Sequence, residues 1–166
     1  PDPQLLAFLD PKSNDFRFEL EASDCTGDGT TFLKFAFEGI GEIDFIVANA
    51  LTNAPTTKQT IEGEDVQLET VAEVIVKKVH YRGSTIKPRD IFDIAAAGAN
   101  NREAIITALK PYKDDVEATL HAIDRLNPDF VKATIAPLAI KEQCKPLVET
   151  ALESAKEILR SVLVAT

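Results

Sequence analysis

A lysine and an arginine four residues apart, Lys78 and Arg82, fall on the helical stripe that Val71, Val74 and Ile75 mark as inward. Cations that face inward need carboxylate partners or an anionic ligand, because a buried unpaired charge is costly. Glu73 precedes them on the same helix, and Asp90 and Asp93, three apart, share a face of the next one. Two chemistries fit this spacing. One is an internal ion network tying two helices together, with Arg82 and Arg89 answered by Asp90 and Asp93; the other is a site for a phosphate group. Ion networks are the commoner outcome where charges meet inside a fold.

A second candidate is Asp44, which sits mid-strand in Glu42-Ile43-Asp44-Phe45-Ile46 and points away from the Ile43/Phe45/Val47 face. Charged residues at the centre of a strand are uncommon. Either the residue lies on the solvated face of an edge strand, or it serves as a metal-binding carboxylate. A single carboxylate cannot make a two-metal site, so a second acidic ligand would have to come from elsewhere.

The elements that must position these residues change character near residue 65. Before it, apolar residues alternate: Phe16, Phe18, Leu20 and Ala22, then Leu33, Phe35 and Phe37, then Ile43, Phe45 and Val47. Joined by short links, they predict an antiparallel meander, with Ser23 to Thr30 as a polar turn and Lys58 to Ile61 as a short fourth strand. After it, the period is helical. One helix ends at Gly83, and a second opens at Pro88 and runs to about Ala97, with Gly98 to Asn101 as a loop. A third covers Arg102 to Leu109, and a fourth opens at Pro111 and ends at Asn127-Pro128. Pro128 to Ile135 reads as a short helical piece and Pro137 as the start of another, before a last helix whose apolar stripe runs from Leu147 to Leu163. The expected fold class is α+β: a small antiparallel or mixed sheet over 1–65, followed by a helical bundle over 66–166.

Composition narrows the functions. With 166 residues, 45% of them hydrophobic, the chain can bury a core. Eighteen Lys+Arg against 27 Asp+Glu leave a net charge of -9, so nothing draws the whole chain to nucleic acid or anionic lipid. Any such contact rests on a local patch, and Lys77, Lys78, Arg82, Lys87 and Arg89 are its one compact supply of basic residues. No apolar run is long enough to span a bilayer, and the first residues do not read as an export signal. Cys25 and Cys144 match no metal-ligand spacing and read as free thiols of a reducing, cytoplasmic compartment. Gly27-Asp28-Gly29 and Gly39-Ile40-Gly41 are too short for a dinucleotide fingerprint, and no Gly-Lys-Ser/Thr phosphate loop is present. His80 and His121 are isolated, which argues against zinc, and Cys144 lacks a nearby histidine that would make it a nucleophile.

The order Glu73-x4-Lys78-x3-Arg82-Gly83, then Lys87-Pro88-Arg89-Asp90-Ile91-Phe92-Asp93, resembles the nucleotidyltransferases of the AbiEii/AbiGii toxin family. The strand Gly41 to Ile46 looks like that family's third core strand, and Pro1-Asp2-Pro3-Gln4-Leu5-Leu6 looks like the stretch just after its first acidic strand. Only the Lys78 to Asp93 region is specific; the last helices are ordinary bundle. The resemblance implies a polymerase-beta-like fold that transfers a nucleotide from an NTP to an acceptor such as the 3′ end of tRNA, with Mg²⁺ held by carboxylates. On that basis Asp44 matches a metal ligand or base, Lys78 the lysine near the triphosphate, and Glu73 the acid before it. Arg82 matches a substrate contact, while Arg89, Asp90 and Asp93 match a structural ion network. The family's Gly-Ser/Gly-Gly element and Asp-x-Asp pair are absent from these residues.

Together with the lack of any methionine and the opening Pro1-Asp2-Pro3, that absence reads as a toxin of a toxin–antitoxin pair seen without its N-terminal segment and inactive by itself. Its partners would be an NTP, tRNA and a cognate antitoxin, and no membrane. The alternative is a degenerate relative that binds a nucleotide or a partner protein without turnover. A third reading is a purely structural helical adaptor.

Overall fold

In a computed structural model the fold is described over residues 22–165, and it is α+β. The chain divides into two compact units, one ending at Asn49 and the other running from Ala50. The division falls before the change from strand to helix periodicity near residue 65. The expected Phe16 to Ala22 strand lies almost wholly outside the described residues.

In the first unit, β1 (Asp24–Gly27), β2 (Phe32–Phe37) and β3 (Gly41–Ile46) form an antiparallel sheet in the order β1-β2-β3. Alternation in β2 and β3 sets the register: Leu33 opposes Phe45 and Phe35 opposes Ile43 on one face, while Lys34 opposes Asp44 on the other. Leu33 and Phe35 are buried, and the Phe35 and Phe45 rings meet edge to face with centroids 5.9 Å apart. The segment Ser23 to Thr30, expected as a turn, instead supplies β1. Asp24, Cys25, Thr26 and Gly27 pair through their backbones and expose every side chain, so no hydrophobic alternation betrays the strand. The turn contracts to a few residues gathered by Asp28, whose Oδ1 accepts from the amides of Thr30, Thr31 and Phe32. Gly27 is required beside it: at φ 147° a Cβ would lie 2.3 Å from the Phe32 carbonyl oxygen.

The second unit opens with a hairpin of β4 (Thr56–Ile61) and β5 (Glu64–Glu69). Its two-residue turn, Glu62-Gly63, has both residues at positive φ, as the twist of a tight hairpin demands. β5 escapes the sequence pattern, because Glu64, Asp65 and Glu69 mask the alternation of Val66 and Leu68. Five helices follow: α1 (Val71–Arg82), α2 (Pro88–Leu109), α3 (Lys113–Asp124), α4 (Pro128–Ile135) and α5 (Ala151–Val164). Thr70 caps α1 by accepting from the Glu73 amide, and Asn127 caps α4 through the amides of Asp129 and Phe130.

The expected break between two helices at Gly98 to Asn101 narrows to one residue: Asn101 leaves helical geometry (φ -129°, ψ 23°) and kinks α2 there, while Gly98 stays within the helix. Gly98 leaves room for α5, where Ile158 Cδ1 lies 2.2 Å from the place a Cβ would take. No α-helix starts at Pro137; the chain makes a 3-10 segment over Glu142–Val148 before α5. α5 buries Ala151, Ala155, Ile158, Leu159 and Val162, one stripe at helical spacing, against a core that includes Ile91, Ile94, Ile105 and Leu109 of α2. None of the described helices is long and apolar enough to cross a membrane.

Candidate functional site at the junction of the first two helices

The turn from α1 into α2 brings Lys78 against Asp90 and Asp93. Pro88 starts α2 at its first position, where a missing N–H costs nothing, and this places Asp90 in the first turn with its Oδ2 accepting from the Lys87 amide at 3.4 Å. Asp90 Oδ1 receives Lys78 Nζ at 2.7 Å, and Asp93 Oδ2 lies 2.9 Å from the same ammonium. Burial alone would raise the Asp90 carboxyl; the Lys78 hydrogen bond and charge, the Lys87 amide and the Arg82 charge together outweigh it and hold the group below its ordinary range. Asp90 is only 2% exposed and therefore depends on these partners.

The two arginines depart from expectation. Helical spacing puts Arg82 on the inward stripe, yet its side chain is 57% exposed and touches Asp90 only at 3.5 Å. It stands at the last position of α1, where the helix has reached its edge. Arg89, expected in the ion network, is exposed and makes no ion pair among the described residues; Lys78 takes its place. The network itself is present, with a different cation at its centre.

Glu73 is separate from this cluster. Fully buried, it accepts from the amides of Leu51 and Thr52 at 2.9 Å each and from the Thr52 hydroxyl at 2.7 Å, with Lys77 Nζ 3.4 Å away. Burial pushes its pKa up, but the Thr52 hydroxyl, the two amides and Lys77 pull it further down, so the carboxylate stays charged. Lys77 also pairs with Glu69, and the two carboxylates overcome its own desolvation to raise its pKa. Tyr112 completes the clamp on this loop, donating its hydroxyl to the Leu51 carbonyl at 2.6 Å. The sequence placed Lys77 in the basic patch and did not pair it with Glu73, and it did not single out Thr52 or Tyr112. Lys77 had a signal, since it stands four residues after Glu73 on one helix face; Thr52 and Tyr112 had none. Beside the clamp, Thr52, Asn53, Ala54, Glu103 and Thr107 line an open groove of about 430 Å³ that does not include Lys78.

Asp44 lies in the first unit, on β3, which pairs with β2 alone among the described residues, and its side chain is 44% exposed. Its neighbour on the same face is Glu42, and the two carboxylates converge on Lys34 Nζ at 3.6 and 2.9 Å. The hydrogen bond that Lys34 donates to Glu42 leads the influences that raise the pKa of Lys34, ahead of the opposing desolvation and the Asp44 charge. Glu42 is thus the second carboxylate that the sequence reading lacked, but both face a lysine. Among the described residues no group of three or more His, Cys, Asp or Glu side chains is placed to hold a metal ion. No family model, curated protein or solved structure matches this chain.

Proposed function

We propose that this chain contributes to a metal-dependent nucleotidyltransferase, the toxin of a toxin–antitoxin pair, that moves a nucleotide from an NTP to an acceptor such as tRNA in the cytoplasm. The observation that supports it is the position of Lys78. The residue that matches the motif lysine is anchored by Asp90 and Asp93, which match the motif acids, and it keeps 18% of its side chain exposed beside the open guanidinium of Arg82. Such a pair can receive a triphosphate: Arg82 offers a planar fork of donors, and Lys78 a fixed positive charge. Lys87 and Arg89 are exposed nearby in sequence, so acceptor phosphates would meet Arg82, Lys87 and Arg89, whereas Lys77 is engaged by Glu69 and Glu73.

Mg²⁺ belongs to this reading through the resemblance. Asp44 is the residue proposed to hold it. Glu42 and Asp44, both directed at Lys34, do not by themselves fit a two-metal centre. Turnover therefore needs acidic ligands beyond those described, and these 166 residues alone are proposed to be inactive.

The second reading, a non-catalytic nucleotide- or partner-binding relative, draws on the same geometry, since both Lys78 and Asp44 already have opposite charges within reach. One experiment separates the two. The protein expressed from its whole reading frame is incubated with each labelled NTP, Mg²⁺ and total tRNA, alongside its Asp44→Ala and Arg82→Ala variants. Metal-dependent incorporation that both variants lower is the expected result. Saturable NTP binding without incorporation selects the binding module. Neither binding nor incorporation leaves the helical adaptor.

A further inference from the structure

The chain from Leu51 to Ala54 belongs to no helix or strand, yet Glu73, Tyr112 and Thr70 all hold it. Glu73 takes the Leu51 and Thr52 amides and the Thr52 hydroxyl, and Tyr112 takes the Leu51 carbonyl. The Thr70 hydroxyl donates to the Ala54 carbonyl at 3.0 Å, and its amide to the Pro55 carbonyl at 2.9 Å. A loop fixed in this way presents a preformed wall, and it walls the open groove of about 430 Å³ against α2. That volume is in the range of small-molecule sites. Ala72 of α1 and Ala104 and Ala108 of α2 are too short to fill the space, and with Leu51 and Pro111 they make its surface mostly apolar.

Charge selects the occupant. Glu103 is the one charged residue in the lining, and it makes no ion pair among the described residues, since its neighbour Arg102 turns to Glu157 at 3.0 Å. The side chains of Asn53 and Thr107 make no hydrogen bond among the described residues either, so their oxygens are open to a donor. No base lines the groove, and the chain carries a net charge of -9, which disfavours an anion. A neutral apolar molecule would cover Glu103 without answering it. We infer that the groove binds a small alkylammonium ligand, with its carbon chain along Ala104 and Ala108 and its ammonium at Glu103, Asn53 and Thr107. The inference stands apart from the nucleotidyltransferase reading, because no residue of the Lys78 cluster lines the groove.

The test titrates the full chain with butyl-, pentyl- and hexylammonium chloride and follows the backbone amides by NMR. Hexanoate, with a chain of similar length and the opposite charge, is run beside them. Saturable shifts are expected at residues 51–54 and 103–111, with affinity rising about two- to fourfold for each added methylene as more of the chain is covered. Hexanoate is expected not to bind. Glu103→Gln should weaken hexylammonium about fivefold, the measure of one exposed charge pair. Ala104→Phe, at an exposed helix position, should fill the groove and remove the shifts with unchanged far-UV circular dichroism. No saturable shift, shifts centred on other residues, equal binding of hexanoate, or affinity independent of chain length overturns the inference. Indifference to Glu103→Gln overturns it as well, because an apolar surface alone would then account for the binding, and so does indifference to Ala104→Phe.

Discussion

Lys78 Nζ and Asp90 Oδ1, from residues twelve apart in sequence, meet at 2.7 Å where α1 turns into α2. The contact makes a helix-capping carboxylate double as the anchor of a lysine. Asp90 closes the first turn of α2 with one oxygen and holds Lys78 with the other.

Lys78→Ala is expected to lower stability by about 2 kcal/mol, because it leaves a buried carboxylate with only the Lys87 amide and the distant Arg82 to answer it. The lysine is partly exposed, which keeps the figure below that for a fully buried pair. Arg89→Ala, at an exposed site, should stay within about 0.5 kcal/mol of the parent. Urea denaturation of both variants checks this. Equal losses would mean that the network runs through Arg89 after all.

Stability should fall on the acid side. The carboxyls of Asp90 and Glu73 lie below their ordinary values in the folded chain, so their contribution is complete above the unfolded-state range, near about pH 4, and drains away as pH falls through the folded values. Asp90→Asn should therefore be less stable than the parent at pH 7, with the gap closing below about pH 4. Denaturation midpoints measured across that range decide it. A gap that stays constant with pH would mean that Asp90 acts through packing alone.

Glu73→Gln keeps the shape of the side chain but puts an NH₂ where two backbone amides and a hydroxyl converge on carboxylate oxygens, and it removes a partner of Lys77. The expected loss is about 2–3 kcal/mol, with faster hydrogen exchange at Leu51 and Thr52. Tyr112→Phe, which removes one hydroxyl from the same loop, should cost about 1 kcal/mol. Exchange confined to that loop is the readout that distinguishes a clamp from general destabilisation.

Gly83→Ala should destabilise by about 1–3 kcal/mol although the residue has ordinary helical backbone angles. The added methyl would stand 2.1 Å from Thr119 Oγ1, itself buried and bonded to the Asp115 carbonyl. Thr119→Ser relieves little of this, because the hydroxyl remains; Thr119→Ala should restore much of the loss. Thermal melts of the single and double variants measure the coupling.

Local pattern carried the helices whose apolar stripes are continuous and the strands whose inward residues alternate. The last helix and the β2–β3 pair were legible for that reason, as were Pro88 as a start and an ion network through Asp90 and Asp93, although the sequence assigned it to Arg82 and Arg89 rather than to Lys78. β1 escaped because its side chains are outward and show no apolar alternation, and β5 because its acids mask the alternation of Val66 and Leu68; the strand state of both rests on backbone pairing to a neighbour. Gly98 to Asn101 reads as a loop in sequence because its residues favour one; in the fold the break shrinks to a kink at Asn101, with Gly98 giving Ile158 of α5 the space a Cβ would take.

The sequence by itself determined the set of charges that must meet: its order places Glu73, Lys78, Asp90 and Asp93 on consecutive helices. Which cation meets which carboxylate was decided by tertiary structure, because helical rotation alone puts Lys78 and Arg82 on one stripe and cannot say where the helix reaches its edge. The same holds for Glu73, whose partners Leu51 and Thr52 lie more than twenty residues earlier. A buried carboxylate announces that it needs donors, and only the folded chain supplies their names.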